Sequence, residues 1–370
     1  MSCLERNQSH QLAILASPGL EAKQANPYTW LLYSNMPCQV DDFSLRRACF
    51  GRYDIMHLHW PEGDLNVSPN AIRAYLRLRR YLFAIDVMRL RGAKVFWTVH
   101  NLASHERRYP CLEQWYWRQL LRRLDGYIAL TEGGRVEAMA RFPSLHTLPG
   151  FVVPHPHYRG AYPENPAVDA RATLGLAKNA KVLLFFGQIR RYKNLPLLID
   201  VFRQLHEPDA ILYIAGCPPH GDLSLCEEIR SRAAGDSRIR IEFARIAQER
   251  AYLYFSSADL VVLPYRDVHN DRNMFNSGIA LLALSFNRRI MAPNQGAMMA
   301  LRAQVGADWV RTFDDFTPAE LGAGLTWSLG PRRPAVAPLE HLDPALLAIR
   351  TFEAYNFVLS QDPGAFMAHA

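Results

Sequence analysis

Short apolar segments alternate with longer helical patterns twice along the 370-residue chain, and this double alternation constrains the fold more than any other feature. In the first half, helical patterns at 68–91 and 112–124 separate apolar segments at 11–17, 54–60, 93–100 and 126–131. A Pro-, Gly- and His-rich segment at 150–166 has the composition of a linker. The alternation then restarts with apolar segments at 181–187, 210–216, 239–244, 259–265 and 288–293. Such alternation predicts two parallel sheets, each with helices on both faces.

The predicted domains follow from these breaks. We expect a first α/β domain over residues 1–155 and a second over 156–345, each a Rossmann-like, doubly wound sheet. A Pro-rich break at 330–344 precedes a last helical pattern. The segment 346–370 is therefore expected to hold a C-terminal helix that packs back on the first domain. Sheets of this kind bind ligands at the carboxyl ends of their strands, so we expect the two crevices to face a common cleft.

The net charge of +7 is placed unevenly. Residues 1–160 contain 20 Lys and Arg against 13 Asp and Glu, whereas the rest of the chain has 22 of each. A basic excess confined to one half predicts an anionic partner there: phospholipid, a lipid diphosphate or nucleic acid. The six scattered cysteines and the absence of a signal-like or membrane-spanning apolar run favour a cytoplasmic chain.

A glycine followed by two cations marks the end of the first strand of the second domain. Gly187 and Gln188 follow the apolar run, and Arg190 and Lys193 come next at a spacing of three. Glycine permits close backbone approach, and the two cations suit phosphate oxygens. Alone, the pattern also fits a solvated loop between a strand and a helix.

A second candidate phosphate site follows the strand 259–265. Tyr265 ends the apolar run, and Asn276, Ser277 and Gly278 open an apolar helix. A helix start offers free N–H groups and a positive dipole end, which together bind anions. The alternative is that Asn276 or Ser277 only caps the helix. Both candidate sites fall on the same edge of one predicted sheet, which favours a ligand.

The segment FGQIRRYKNLPLLIDVF resembles the "G-R-L-x-x-x-K-G-x-x-x-L" segment of nucleotide-sugar glycosyltransferases with the GT-B fold. The resemblance implies that Lys193 contacts the donor diphosphate and that the nucleotide base lies near Phe243, Ala244 and Arg245. Further blocks, including RYDIMHLHWPE, FWTVHNLASHE and LVVLPYRDVHN…NSGIALLALSFNRRIMAP, are similar to the β-mannosyltransferases of xanthan-type exopolysaccharide assembly. Asn26 and Tyr28, in the loop after the first strand, also fit this group.

One position departs from the large retaining group of this fold. Leu282 stands where that group carries the second glutamate of a Glu-x7-Glu pattern, a residue that binds sugar hydroxyls. The β-mannosyltransferase-like relatives share the NSG…LLALS form and invert configuration. The resemblance therefore implies inversion.

Direct inversion needs a general base on the acceptor hydroxyl. Two strand ends of the first domain supply candidates: His57, His59 and Glu62 on one, and His100, His105 and Glu106 on the next. Trp60 and Asn101, on the same two strand ends, are expected to lie on the acceptor side together with Asn26 and Tyr28. Imidazole titrates near neutrality, so we expect His100 to serve as base without a large pKa shift, while Glu62 or Glu106 would also serve or would orient it. For any single one of these residues, the alternative is a structural role in a turn. We expect no metal, because Arg190 and Lys193 offset the diphosphate charge.

Two helical patterns of the first domain combine cations with aromatic residues. Arg73, Arg77 and Arg80 recur at helical spacing, and the next pattern contains Trp115 and Trp117. Such helices suit the headgroup region of anionic membranes. A solvated cationic face, with the tryptophans in the core, is the equal alternative.

These features predict a metal-independent transferase on the inner face of the cell membrane. The resemblance to the β-mannosyltransferases implies that it moves mannose from GDP-mannose to a lipid-linked oligosaccharide of a bacterial surface polysaccharide. A transferase of lipopolysaccharide or capsule assembly, retaining or using a UDP-sugar, is the main alternative. Because the pI is about 9.1, a nucleic-acid-binding protein is a weaker one. No cofactor and no nucleic-acid partner are expected.

Overall fold

The computed structural model describes residues 12–24, 26–66, 68–103, 108–218, 223–265, 277–330 and 335–361. These residues form two compact units. The first unit contains the described residues up to Pro156 and those from Leu342 onward, and the second runs from His157 to His341.

The first unit is built on a six-stranded, wholly parallel sheet with the order β2-β1-β3-β4-β5-β6. Its strands are β1 (Ala13–Ser17), β2 (Gln39–Asp42), β3 (Ile55–His59), β4 (Lys94–Val99), β5 (Gly126–Ala129) and β6 (Gly150–Val152). Its helices are α1 (Pro27–Tyr33), α2 (Leu45–Phe50), α3 (Gly63–Asn66), α4 (Ala71–Leu90), α5 (Pro110–Leu121), α6 (Glu132–Arg141) and, after the second unit, α14 (Pro344–Ser360).

Alternate residues of the central strands bury opposite faces of this sheet. Met56 and Trp97 lie in one apolar cluster with α4 and α5, and Ile55 and Phe96 lie in the other with α1 and α14. Successive side chains of a strand point to opposite faces, so a run that is apolar at every position must be covered on both sides. Tyr355 of α14 is fully buried in the second cluster, which ties the C-terminal helix to the first unit.

The second unit has a sheet of the same kind, with the order β12-β11-β10-β7-β8-β9 and all strands parallel. Its strands are β7 (Lys181–Phe186), β8 (Ala210–Gly216), β9 (Ile239–Phe243), β10 (Leu260–Val262), β11 (Ile290–Pro293) and β12 (Val310–Phe313). Its helices are α7 (Ala170–Thr173), α8 (Leu195–Arg203), α9 (Leu223–Ala233), α10 (Gln248–Ser257), α11 (Gly278–Ser285), α12 (Gly296–Val305) and α13 (Pro318–Leu329).

The prediction of two doubly wound parallel sheets is confirmed, and the differences are at the sheet edges. Strands β2, β6 and β12 were not predicted, and β6 occupies the first three residues of the segment interpreted as a linker. Edge strands are covered less fully than central ones, so they lack the continuous apolar run that reveals a buried strand. Gln39 and Val152, in the two edge strands of the first sheet, are indeed exposed. No helix of the described part of the chain is long and apolar enough to cross a membrane.

Candidate active site

Gly187 directly follows β7 and has a φ of +112°, a conformation that favours glycine. A Cβ atom at this position would lie 2.9 Å from Cδ1 of Ile279, in the first turn of α11, and 3.7 Å from Nζ of Lys193. The glycine therefore lets three elements converge: the end of β7, the ammonium group of Lys193 and the start of α11. The two candidate phosphate sites that were predicted on the same edge of the sheet therefore lie together in the structure.

Lys193 is a buried cation, only 6% exposed. Its Nζ lies 5.6 Å from the ring centre of Phe185 and 6.0 Å from that of Tyr265. Burial, with a smaller contribution from the positive charge of Arg190, lowers the pKa of Lys193 to about 7. A buried ammonium is costly unless an anion neutralises it, so this position is suited to an anionic ligand.

Gln188 and Arg190 are more exposed than the buried Lys193. The Nε group of Arg190 donates a hydrogen bond to Oε1 of Gln188 over 3.0 Å. Gln188 is exposed and Arg190 half-buried, and Tyr192 contacts the ring of Tyr265 with 5.7 Å between centroids. The guanidinium therefore remains partly accessible to a ligand.

Helix α11 begins at Gly278, and Ser277 is its N-cap. Oγ of Ser277 accepts a hydrogen bond from the backbone N–H of Ala280 over 3.2 Å. A Cβ atom at Gly278 would lie 3.0 Å from the hydroxyl of Tyr158, so the glycine makes room for that buried tyrosine. Ser277 does cap the helix, as the alternative interpretation held, but capping leaves other N–H groups of the first turn for an anion. Asn276 lies outside the described residues.

Phe243 and Arg245 come at and just after the end of β9. The guanidinium of Arg230 lies 4.6 Å from the ring centre of Phe243, and Arg245 is exposed. The N–H of Ala244 donates to the carbonyl of Gly216, at the end of the neighbouring strand β8, over 3.0 Å. The structure thus brings the predicted base-binding segment to the strand ends of the same sheet as Gly187.

In the first unit, buried histidines lie near the carboxyl ends of β3 and β4 and share hydrogen bonds. Nδ1 of His59 lies 3.0 Å from Nε2 of His100, and Nε2 of His59 lies 2.7 Å from the hydroxyl of Tyr33. His57 continues the network to Tyr33 and Thr98. Among the described residues, no group of three or more His, Cys, Asp and Glu side chains is arranged to hold a metal ion.

The expectation that His100 keeps an ordinary pKa is wrong. Burial lowers its pKa well below the usual value for histidine, with smaller contributions from His155 and His57. The pKa values of His57 and His155 fall to about 3 and about 4 for the same reason. Desolvation penalises the imidazolium ion, so these histidines are neutral at pH 7.

Glu62 shows the opposite shift. Burial raises its pKa to about 7, against a smaller lowering by the hydrogen bond that Nδ2 of Asn101 donates to its Oε1 over 3.0 Å. A carboxyl group with a pKa near the operating pH is suited to general acid–base catalysis. Glu106, like its neighbour His105, lies outside the described residues.

Aromatic rings surround His100. The ring of Trp60 stacks on it with 4.0 Å between centroids, and Tyr28 meets it edge-on at 4.7 Å. Trp60 has a φ of +47°, a conformation that costs a bulky residue about 1–3 kcal/mol and that often marks functional sites. Asn26 accepts a hydrogen bond from the N–H of Tyr28 over 3.1 Å and caps α1. Tyr28 itself is buried, so it contacts the histidines and not the surface.

The predicted membrane-facing residues divide into two groups. Arg73, Arg77 and Arg80 are all exposed on α4. Trp117 is only 3% exposed, and its ring centre lies 5.0 Å from that of Trp97, so the prediction that it faces a membrane is wrong. Trp115 is half-buried and contacts Tyr75 of α4.

Tyr33, Tyr355, Thr98 and Tyr158 were missed by sequence reasoning. Tyr355 reaches His57 from α14, across 298 residues of sequence. Nothing in its own segment distinguishes it from a core residue of an amphipathic helix.

Comparisons with known proteins agree with this geometry. Residues 169–270 match the family described as Glycosyl transferases group 1. The chain is 32% identical over 329 residues to the GDP-mannose:glycolipid 4-beta-D-mannosyltransferase of Xanthomonas campestris pv. campestris. The aligned region covers 88% of this chain and 86% of that protein.

Solved structures share the fold. HepE of Anabaena, in complex with UDP-glucose, superposes with a TM-score of 0.61 at 15% identity, covering 95% of this chain and 99% of that one. Sucrose-phosphate synthase of Thermosynechococcus elongatus gives a TM-score of 0.64 at 15% identity, covering 95% and 100%. The predictions of a GT-B fold and of a glycosyltransferase are confirmed: the chain belongs to the family of the Xanthomonas mannosyltransferase and is a glycosyltransferase.

Proposed function

We propose that this enzyme transfers mannose from GDP-mannose to a lipid-linked oligosaccharide of a bacterial surface polysaccharide. The observation that carries the proposal is the convergence of Lys193, Gly187 and the first turn of α11 in a chain whose curated relative is named for that donor and a glycolipid acceptor.

The donor diphosphate binds at this convergence. The ammonium of Lys193 pairs with one phosphate, and the first N–H groups of α11 and the guanidinium of Arg190 bind the other. Ser277 and Gly278 keep the start of α11 open to the ligand. Beside it, the hydrogen bond from Arg190 to Gln188 positions the guanidinium, and the ring of Tyr265 positions the ammonium of Lys193. Phe243 and Arg245 contact the nucleobase.

The leaving diphosphate needs no metal ion in this proposal. Arg190 and Lys193 supply two positive charges where a divalent cation would otherwise neutralise the leaving group. No other cofactor and no nucleic acid take part.

The reaction inverts the anomeric configuration. Leu282 is buried in α11, 2% exposed, at the position where the retaining group carries a sugar-binding glutamate. An apolar side chain there offers the donor sugar no carboxylate, which supports a direct displacement by the acceptor hydroxyl.

Glu62 is the group best suited to deprotonate that hydroxyl. Its raised pKa makes it a stronger base than an ordinary glutamate, and Asn101 orients the carboxylate. His100 and Glu106 complete the proposed catalytic set. Asn26 and Trp60 lie on the acceptor side, and the buried Tyr28 packs edge-on against the ring of His100.

The acceptor is reached at the inner, cytoplasmic face of the cell membrane, where the enzyme is peripherally bound through α4. Ile72, Leu76, Phe83 and Leu90 are exposed at helical spacing, with exposed fractions between 55% and 87%. Arg73, Arg77 and Arg80 flank this apolar stripe. An apolar stripe bordered by cations matches the boundary between acyl chains and anionic headgroups.

A panel of nucleotide sugars tests the donor. A ligand that binds the folded state raises the melting temperature, so GDP-mannose is expected to stabilise the protein more than UDP-glucose or UDP-glucuronate does. Stabilisation by a UDP-sugar alone would reject GDP-mannose as donor and leave the transferase assignment in place.

A further inference from the structure

Tyr158 lies beside the start of α11 and takes no part in the function proposed above. It belongs to the segment 157–162, with which the second unit begins, and it is only 6% exposed. A Cβ atom at Gly278, the first residue of α11, would lie 3.0 Å from the phenolic oxygen of Tyr158 and 3.9 Å from the ring carbon that bears this oxygen. The polar tip of the ring therefore faces the first turn of the helix.

The backbone of Tyr158 is anchored at the other end of α11. Its N–H donates a hydrogen bond over 2.8 Å to Oγ of Ser285, the last residue of the helix. Oγ of Ser285 donates in turn to the carbonyl of Leu281 over 2.7 Å. Gly278, Leu281 and Ser285 follow one another at helical spacing and share one face. The side chain of Tyr158 thus extends along this face towards the N-terminus of α11.

A different side of the same turn faces Lys193. The Cβ position of Gly187 lies 2.9 Å from Cδ1 of Ile279 and 3.7 Å from Nζ of Lys193. Successive residues of a helix are turned by about 100°, so Gly278 and Ile279 face different directions. The start of α11 therefore has an ammonium group near one side and a phenolic hydroxyl beside another.

A hydroxyl group in this position is suited to an anionic ligand. The first N–H groups and the dipole of a helix make its N-terminal end electropositive. A hydroxyl that donates to a charged oxygen forms a stronger hydrogen bond than one that donates to a neutral oxygen. Tyrosine combines an apolar ring, which suits burial along α11, with a polar group at its end.

We propose that the hydroxyl of Tyr158 donates a hydrogen bond to the diphosphate of the nucleotide sugar, from a different side of the α11 start than Lys193. The inference rests on the function proposed above, because it adds a residue to the same diphosphate site. It gives donor binding a residue from the segment 150–166, whose composition indicated only a linker. A hydrogen bond to the diphosphate also stabilises the charge of the leaving group during transfer.

Tyr158→Phe removes the hydroxyl and keeps the ring. We expect this variant to bind GDP and GDP-mannose at least tenfold more weakly than the unmodified protein, because hydrogen bonds to charged groups contribute more than neutral ones. Calorimetric titration measures both affinities. Unchanged affinity for GDP would overturn the proposal, and so would a loss confined to GDP-mannose, which would assign the hydroxyl to the sugar.

Tyr162→Phe is the matched control. Tyr162 lies in the same segment, and its ring meets that of Tyr158 edge-on with 5.9 Å between centroids. The control should bind GDP as the unmodified protein does. An equal loss of affinity in both variants would assign the effect to the packing of the segment and overturn the proposal.

³¹P NMR at saturating GDP separates a phosphate contact from a structural role. The bound α- and β-phosphates give separate resonances, whose chemical shifts respond to hydrogen bonding. We expect Tyr158→Phe to shift at least one of these resonances and Tyr162→Phe to shift neither. Two unshifted resonances in Tyr158→Phe would overturn the proposal.

A failure of the donor assignment gives a different result. If the unmodified protein binds UDP and not GDP, GDP-mannose is rejected as donor, and UDP replaces GDP in both experiments because the diphosphate is the same. If the unmodified protein binds neither nucleotide, the proposed diphosphate site is rejected before any variant is compared.

Discussion

Nζ of Lys193 lies 3.7 Å from the point at which a side chain of Gly187 would begin. The same point lies 2.9 Å from Ile279, so any side chain at 187 would press on α11 as well as crowd the lysine. A buried cation beside a helix start is suited to an anion, because both groups favour negative charge. The predictions below follow from that relationship.

Gly187→Ala is expected to weaken GDP-mannose binding by at least tenfold, about 1.4 kcal/mol, because the new methyl group displaces Ile279 or Lys193. The positive φ adds backbone strain of about 1–3 kcal/mol to the folded state. Calorimetric titration gives the affinity, and thermal unfolding gives the stability.

Gly235→Ala is the control for Gly187→Ala. Gly235 also has a positive φ, +82°, but open space surrounds its Cβ position. The control should therefore lose stability and keep its affinity for GDP-mannose. Equal affinity loss in both variants would show that strain, and not the site, is responsible.

Donor affinity is expected to fall as the pH rises through 7. The pKa of Lys193 is lowered to about 7 in the free protein, and a bound diphosphate favours the charged lysine, so binding above pH 7 takes up a proton. Calorimetry in buffers of different ionisation enthalpy measures that uptake. Proton uptake that persists in Lys193→Met would assign it to another group.

Lys193→Met is expected to stabilise the folded protein at neutral pH. The pKa of Lys193 is about 7 in the folded protein and 10.5 in the unfolded chain. Between about pH 7 and 10.5 the unfolded chain therefore binds more protons than the folded protein does, so the free energy of unfolding rises with pH. Burial of the charged lysine consequently lowers the free energy of unfolding most at low pH. Removing it should raise the free energy of unfolding by about 1–2 kcal/mol at pH 7. Chemical denaturation measures this change, and a loss of stability would contradict the burial cost.

Glu62→Gln should lower turnover by about 10²–10⁴-fold and leave donor affinity near that of the unmodified enzyme. Because burial raises the pKa of Glu62 to about 7, activity of the unmodified enzyme should fall as the pH drops below 7. Asn101→Ala removes the hydrogen bond that lowers the pKa of Glu62. In that variant, the fall in activity at acidic pH should therefore begin at a higher pH. Glu137→Gln, a carboxyl of the same unit whose pKa burial also raises, is the control and should retain activity.

Neutralising Arg73, Arg77 and Arg80 together is expected to reduce sedimentation with vesicles that contain anionic phospholipid. Each cation near such a surface contributes about 1 kcal/mol. A triple variant of exposed arginines elsewhere, Arg141, Arg302 and Arg350, changes the net charge equally and should sediment normally. A similar loss of sedimentation in both triple variants would show that net charge alone, and not the position of the arginines on α4, is responsible.

Much of the fold could be predicted from the sequence, because parallel strands covered on both faces are continuously apolar, as in residues 182–186. The edge strands β2, β6 and β12 escaped detection because they lack that pattern. The convergence of Lys193 with α11 was predictable, since strand ends meet at one edge of a sheet. The burial of Trp117 was not, because aromatic residues suit a core and a membrane surface equally well.

The histidine pKa values also could not be read from the sequence. An ordinary pKa was expected for His100, but its pKa depends on burial by Trp60, Tyr28 and neighbouring histidines. Such an environment assembles only in three dimensions. Tyr355 reaches the same network from α14, beyond any local pattern.

Calorimetric titration of GDP-mannose into the unmodified enzyme and into Lys193→Met at pH 6.5 tests the central claim most directly. We predict binding to the unmodified protein and an affinity at least tenfold weaker, about 1.4 kcal/mol, for the variant. Equal affinity of the two proteins, with the variant folded, would contradict the assignment of the diphosphate to Lys193 and the start of α11.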